Sequence, residues 1–301
     1  MILNANELLL QGLVLAGHPA DRQARWVRST RVDRFVATFG KDPAVLVLVW
    51  NRLQTTNNLD AKIIDATEED LHEYLWALNW LKEYSTEKAM TGRTGWYEKK
   101  IQKVVKDMVC RIYALLHEKV FWPPEWDNPL IDTPIFLISV DGVHCPIQEP
   151  TSGHKYSKNP KYYSHKFHRS ALAYEVAISI FTSKVVWING PFPAGTTDPD
   201  IFSMPNGLRS RMPAGKKCIA DSAYNRKEFT MVSLTYYKDT PAVKEFKRRA
   251  RSRQESFFAK MKVFSVLKDE FRHGDAFHKT VFHAVAVICQ FEIELVPLFD
   301  A

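Results

Sequence analysis

The chain has 301 residues, 46% hydrophobic and 12% aromatic, ample for one large or two ordinary domains and too apolar for disorder to be the default. Its net charge of +7 and pI near 9.1 point to a polyanionic partner. No apolar run reaches the roughly 18 residues of a membrane span; the nearest, 281–299, is broken by His283, Gln290, Glu292 and Glu294, and Glu7 interrupts an N-terminus that lacks a basic leader. A chain with no membrane segment and no secretion signal is expected.

Residues 1–125 read as an all-helical N-terminal region. Segments near 28–39 and 43–54 have helical character, and Thr67-Glu68-Glu69-Asp70 has the form of a capping box. Beyond it Leu71, Leu75, Leu78 and Leu81 recur at helical spacing to about Tyr84. A second amphipathic run carries Ile101, Val104, Val105, Met108, Ile112, Leu115 and Leu116. The connection 85–95 is too long for the tight turn of a helix-turn-helix reader unless it hides another helix, so packing helices are expected here.

The paired prolines of Trp122-Pro123-Pro124-Glu125-Trp126 mark a boundary, after which a second domain is expected over 130–301. There the period changes. Strand-like runs occupy 135–141, about 171–181, 184–189 and 216–220, with Thr182-Ser183 as a hairpin turn. A helix is predicted over 251–272, apolar nearly all round, ended by Gly274, and a last helix over 277–294. Strands followed by helices indicate an α/β sheet domain. Cys110, Cys145, Cys218 and Cys289 form no CxxC and are expected as free thiols.

The chemistry resides in carboxylates. Asp141 closes the apolar run Ile135-Phe136-Leu137-Ile138-Ser139-Val140, Asp221 closes Lys217-Cys218-Ile219-Ala220, and Glu255 is expected in the first turn of the helix that follows. Aspartates at strand ends are held rigidly yet face solvent, so together with a helical glutamate they can neutralise one or two magnesium ions, which prefer hard oxygen ligands. Each acid also has a structural reading: a turn residue for Asp141, a cap for Asp221, and a dipole partner for Glu255. Asp198 is a candidate structural or secondary ligand, and Asp200 a helix-start residue.

In order, Val140-Asp141-Gly142-Val143-His144, Gly195-Thr196-Thr197-Asp198-Pro199-Asp200-Ile201-Phe202, Ile219-Ala220-Asp221-Ser222-Ala223-Tyr224 and Arg253-Gln254-Glu255-Ser256-Phe257-Phe258 resemble the motifs of a Harbinger-type DDE transposase over about 130–290. The resemblance implies a ribonuclease-H-like mixed sheet flanked by helices, preceded by the helical N-terminal region. It also implies an Asp141, Asp221 and Glu255 metal triad using Mg²⁺ or Mn²⁺ for DNA cleavage and strand transfer, and a Myb-like DNA-binding partner protein. Asp221-Ser222-Ala223-Tyr224 departs from the family pattern by lacking its glycine. The alternative is a domesticated, catalytically silent DNA-binding or interaction protein on the same scaffold.

Residues 244–253 hold six basic side chains and one acid. Arg248, Arg249, Arg251 and Arg253 are candidate DNA contacts, a nuclear-import signal, or both, beside the alternative of a solvated helix start. Lys155, Lys166 and Arg169 belong to a second basic stretch that is a candidate phosphate contact. His165 and His168 have zinc-compatible spacing only if helical, and three basic neighbours argue against it. A nuclear location and a homo-oligomer complete the expectations.

Overall fold

The computed structural model describes residues 1–128, 133–150 and 159–300, and the chain divides into two compact units. The first unit comprises Met1–His117, Met261–Asp269 and Thr280–Leu295. It contains helices α1 (Ala5–Leu15), α2 (Ala20–Gln23), α3 (Arg28–Phe39), α4 (Pro43–Thr55), α5 (Glu68–Glu83), α6 (Glu87–Thr94) and α7 (Glu98–Ala114), with α8 (Leu116–Lys119) at its limit. Local chemistry sets the starts. Asn4 and Glu7 form a capping box at α1, Asp42 caps α4 ahead of Pro43, and Thr67 with Asp70 forms the expected capping box at α5. The connection after α5 does hide a helix, α6, between caps at Thr86 and Gly95. Gly40 ends α3 at a φ of 88°, where a Cβ would also stand 2.8 Å from the Phe264 ring. Both the left-handed backbone and the close ring require glycine there.

The second unit comprises Glu118–Lys260, Glu270–Lys279 and Val296–Ala301. Its sheet is built from β1 (Phe136–Pro146), β2 (Tyr163–Ser164), β3 (Arg169–Ser179), β4 (Val185–Pro193), β5 (Lys217–Ile219) and β6 (Val232–Ser233). The order β4-β3-β1-β5-β6 is antiparallel across β4, β3 and β1 and parallel across β1, β5 and β6, with β2 pairing the start of β3. That mixed order, with helices on the faces, is the expected ribonuclease-H-like arrangement. Short helices α9 (Asp198–Ser203) and α10 (Leu208–Arg211) lead to β5, and α11 (Pro241–Met261) follows β6. Then come α12 (Ser265–Lys268) and α13 (Asp275–Leu295). One core joins Ile138 and Val140 to Phe202, Leu208 and Tyr224. A smaller one joins Ile180 and Ile219 to Ala250, with Phe136 and Phe246 packed against it.

Two elements depart from the predicted bounds, and the single helix predicted over 251–272 is instead α11, which ends at Met261, followed by the short α12. β1 runs on to Pro146 because β3 offers it an unbroken antiparallel ladder as far as Pro146↔Ala171; Asp141 therefore lies inside a strand, not at its end. α11 begins ten residues earlier than predicted, at Pro241, the residue best suited to a first helical turn. The highly charged first half of that helix lacks the apolar stripe on which the prediction rested.

The early start changes the meaning of Arg253. It lies on the inner face with Ala250, Gln254, Phe257 and Met261, and is only 1% exposed. Its guanidinium donates to the carbonyls of Ile180 and Ser179 and to Ser183 Oγ, at the turn between β3 and β4. Arg253 is a buried tie for that turn and not a surface contact for DNA. Replacing it by alanine strands two carbonyls and is expected to lower unfolding free energy by about 2–4 kcal/mol in urea titration, whereas Arg251→Ala, on the exposed face, changes it by less than about 0.5 kcal/mol. Equal effects of the two changes would contradict the assignment.

Candidate active site

The site is built where β5 stops and β1 does not. Ser139 stands beside Ile219 in the parallel ladder, and Asp221 is still in extended conformation. Two residues further along each strand, the same alignment brings Asp141 level with Asp221. Residues level in a parallel pair share a face, so the two carboxylates are neighbours in space. Each is anchored by a short backbone bond: Asp141 Oδ1 accepts from Gly142 N at 2.8 Å, and Asp221 Oδ1 accepts from Ala223 N at 2.8 Å as cap of the Ser222–Tyr224 turn. The structural reading of Asp221 as a cap is thus fulfilled alongside its position beside Asp141.

A third carboxylate arrives from α9. Asp198 lies against Gly142, with its Oδ1 2.2 Å from the point where a Cβ on that glycine would stand. Gly142 is required by this approach, not by its backbone angles. Burial, then the charges of Asp221 and Asp198, push Asp141 up to about 6, with Gly142 N and Lys166 opposing. Burial and Asp221 likewise raise Asp198.

A fourth acid lies outside the set that the sequence singles out. Glu175 sits in β3 directly opposite Gly142 and is 1% exposed. Its Oε1 accepts from Trp187 Nε1 at 3.0 Å, while Oε2 has no hydrogen-bond partner among the described residues. Burial first, and Asp198 after it, push Glu175 up to about 8, so it keeps its proton at neutral pH. Its one signal in the sequence is that it is the lone acid within the apolar run of β3, which by itself reads only as strand.

Glu255 is placed differently from its expectation. It lies well inside α11, so the dipole reading falls away, and it is exposed. Its neighbour Gln254 is buried and pins the helix to the sheet, donating to Ser139 O at 2.6 Å and Val176 O at 3.3 Å, two residues before Asp141. Glu255 is not among the charges acting on Asp141 or Asp198. Among the described residues no three His, Cys, Asp or Glu side chains are already gathered to hold a metal. The donors themselves fit a hard divalent cation, because the charge of carboxylates that are buried beside other carboxylates, as Asp141 and Asp198 are, is relieved by positive charge.

The remaining candidates divide. Asp200 starts α9 as expected, accepting from Thr197 Oγ1 and Arg226 at 2.6 Å each, which holds it below its ordinary value. Arg248 is paired with Glu245, Arg249 donates to Asp300 O, and Arg251 is exposed. Lys166 is exposed and its charge reaches both Asp141 and Asp198; Arg169 is exposed at the start of β3. Lys155 lies outside the described residues. His165 and His168 occupy a turn, not a helix, so the zinc spacing does not apply. The four cysteines are free thiols, with Cys145, Cys218 and Cys289 buried and Cys110 exposed. No helix among the described residues is long and apolar enough to cross a membrane.

The raised value of Asp141 has a definite sign. Its stabilising contribution is full below its ordinary 3.8 and is lost as pH rises through about 6. Asp141→Asn removes that loss, and in chelator is expected to stabilise the chain at pH 7 by about 1–3 kcal/mol. The gain should shrink to near zero at pH 4 in urea unfolding. A variant less stable than the parent at pH 7 would show that the charge is already compensated.

Comparison with known families bears on the same stretch of chain. A family model described as DDE superfamily endonuclease matches residues 140–290, opening one residue before Asp141 and covering half of the 301 residues. No curated protein and no solved structure matches the chain. On the family match, which overlies the ribonuclease-H-like sheet, this chain belongs to the DDE superfamily of endonucleases.

Proposed function

We propose that the chain is a Harbinger-type transposase or a nuclease derived from one, cutting DNA phosphodiester bonds with Mg²⁺ or Mn²⁺ held by Asp141, Asp221 and Glu255. The observation that carries this reading is the convergence of Asp141 and Asp221 at the end of the β1–β5 ladder, with each carboxylate oriented by a backbone N–H. When bound, the cation supplies Lewis-acid activation of water and charge neutralisation at the phosphoryl group. The chain's own residues hold negative charge at fixed positions. Asp198 adds to that charge from α9, and protonated Glu175 does not. Gln254 sets the depth of α11, and so the position from which Glu255 would complete the set. No side chain is needed as nucleophile; the 3′ hydroxyl freed by hydrolysis would attack target DNA in the strand-transfer step. A nuclear location, a Myb-like partner protein and assembly with a second copy belong to the same proposal, motivated by the family resemblance.

One observation favours the competing reading of a silent scaffold: Glu255 is exposed and does not act on the aspartates. Cleavage assays on duplex DNA distinguish them. Asp141→Asn, Asp221→Asn and Glu255→Gln are expected to abolish Mg²⁺- or Mn²⁺-dependent cutting, while Asp198→Asn, an outer partner, costs roughly 10–100-fold. Activity in Glu255→Gln with none in Asp198→Asn would make Asp198 the third ligand. Cutting that survives in chelator would overturn the metal reading, and a parent chain that never cuts would favour the scaffold.

DNA contact is expected from Arg251, Lys166 and Arg169, the exposed members of the basic set. Changing all three to glutamine should weaken duplex binding and flatten the salt dependence by about 0.9 in log–log slope for each phosphate that is no longer neutralised. Arg253 is left out of this set because it is buried. An unchanged slope across a salt series would remove these residues from the interface.

A further inference from the structure

A cleft of about 1380 Å³, lined in part by Asp198, opens within the second unit. It is larger than the roughly 300–1,000 Å³ typical of small-molecule pockets. Asp198 lines it, as do His144, Tyr163, His165, His168 and Arg169. Its walls are held by backbone and side-chain bonds. Gly195 N donates to Lys161 O at 2.8 Å, His144 Nδ1 and Ser164 Oγ are 2.8 Å apart, and Tyr163 OH lies 3.4 Å from His168 Nδ1. Tyr163 is 39% exposed, and the His165 ring meets it edge-on at 5.1 Å.

The cations here can meet the phosphates of a duplex, but a duplex hides the faces of its bases, so exposed rings find no base in it to stack on. Here exposed rings and exposed cations alternate along one short stretch, Tyr163, His165, Lys166, His168 and Arg169. Rings on which bases stack, interleaved with cations that follow the backbone, are the chemistry of unpaired nucleic acid.

We propose that this cleft takes unpaired nucleotides at a DNA end, with bases stacking on Tyr163 and His165 and backbone phosphates meeting Lys166 and Arg169. The inference rests on the DNA-cutting reading above and deepens it: strand opening next to the scissile bond delivers its loosened nucleotides to the cleft that Asp198 also lines. The aromatic wall supplies the selectivity for unpaired over paired ends.

The test measures binding in chelator, where no cutting occurs. Full-length chain is titrated with a duplex carrying three unpaired 3′ nucleotides, the middle one 2-aminopurine, and with a blunt duplex carrying the same label. The unpaired end is expected to bind at least about tenfold more tightly, with quenching of the label as it stacks. Tyr163→Ala and His165→Ala should each lose most of that preference while binding blunt duplex as before, and Tyr163→Phe, which keeps the ring, should retain it. Should Tyr163→Ala not fold, His165→Ala carries the test. Equal affinity for the two ends, or a preference intact in both alanine variants, overturns the proposal. A chain that keeps the preference yet never cuts DNA overturns the nuclease reading alone. One that cuts DNA but binds both ends equally overturns this inference alone.

Discussion

The candidate site depends on a mismatch of strand length. β1 has eleven residues and the parallel strand beside it has three. While both strands last, their edges are paired and their side chains are committed to packing: Ile138 to one face and Ile219 to the other. Where β5 ends, β1 is still supported by β3 on its far side and stays straight. Asp141 is thereby presented on a rigid strand with a vacated edge, and the chain leaving β5 carries Asp221 into that edge. Neither carboxylate could be so close to the other on a flexible loop, because repulsion would separate them.

The charge held there is unfavourable for the fold by itself. Burial first, and the charge of Asp221 after it, raise the proton affinity of Asp141 and Asp198, and Lys166 offsets only part of it. Glu175 is kept from adding to that charge by its own burial, which favours its neutral form. Gly142 is the pivot of this arrangement: its missing side chain admits Asp198 above the strand, with Glu175 paired across from it. Concentrated like charge that destabilises a chain is characteristic of sites selected for binding or catalysis over stability.

α11 shows how one helix can serve packing and a site together. Arg253 and Gln254 are buried polar residues that donate to main-chain carbonyls of β1, β3 and the turn after β3. These bonds fix the helix in rotation and height more sharply than apolar packing alone, since misplacement would leave a guanidinium and an amide unsatisfied. The residue after them, Glu255, emerges from the same helix on the solvent side.

Much of this is legible in the chain itself. The capping box at Thr67, the prolines after Trp122, the alternation of the sheet and the acids following apolar runs are local properties, governed by neighbours a few residues away. The resemblance carried by those acids agrees with the family to which the chain belongs. What tertiary structure decides is every relation across the sequence. Periodicity puts Asp141 at a strand end, but the ladder with β3 extends the strand past it. A run of arginines looks uniformly solvated, but the helix's rotation turns Arg253 inward. Glu175 looks like one polar residue in a strand until register sets it opposite Gly142, within reach of the charge of Asp198. Local sequence determines which backbone conformations are favourable, whereas proton affinity and burial depend on groups that only folding brings within a few ångströms.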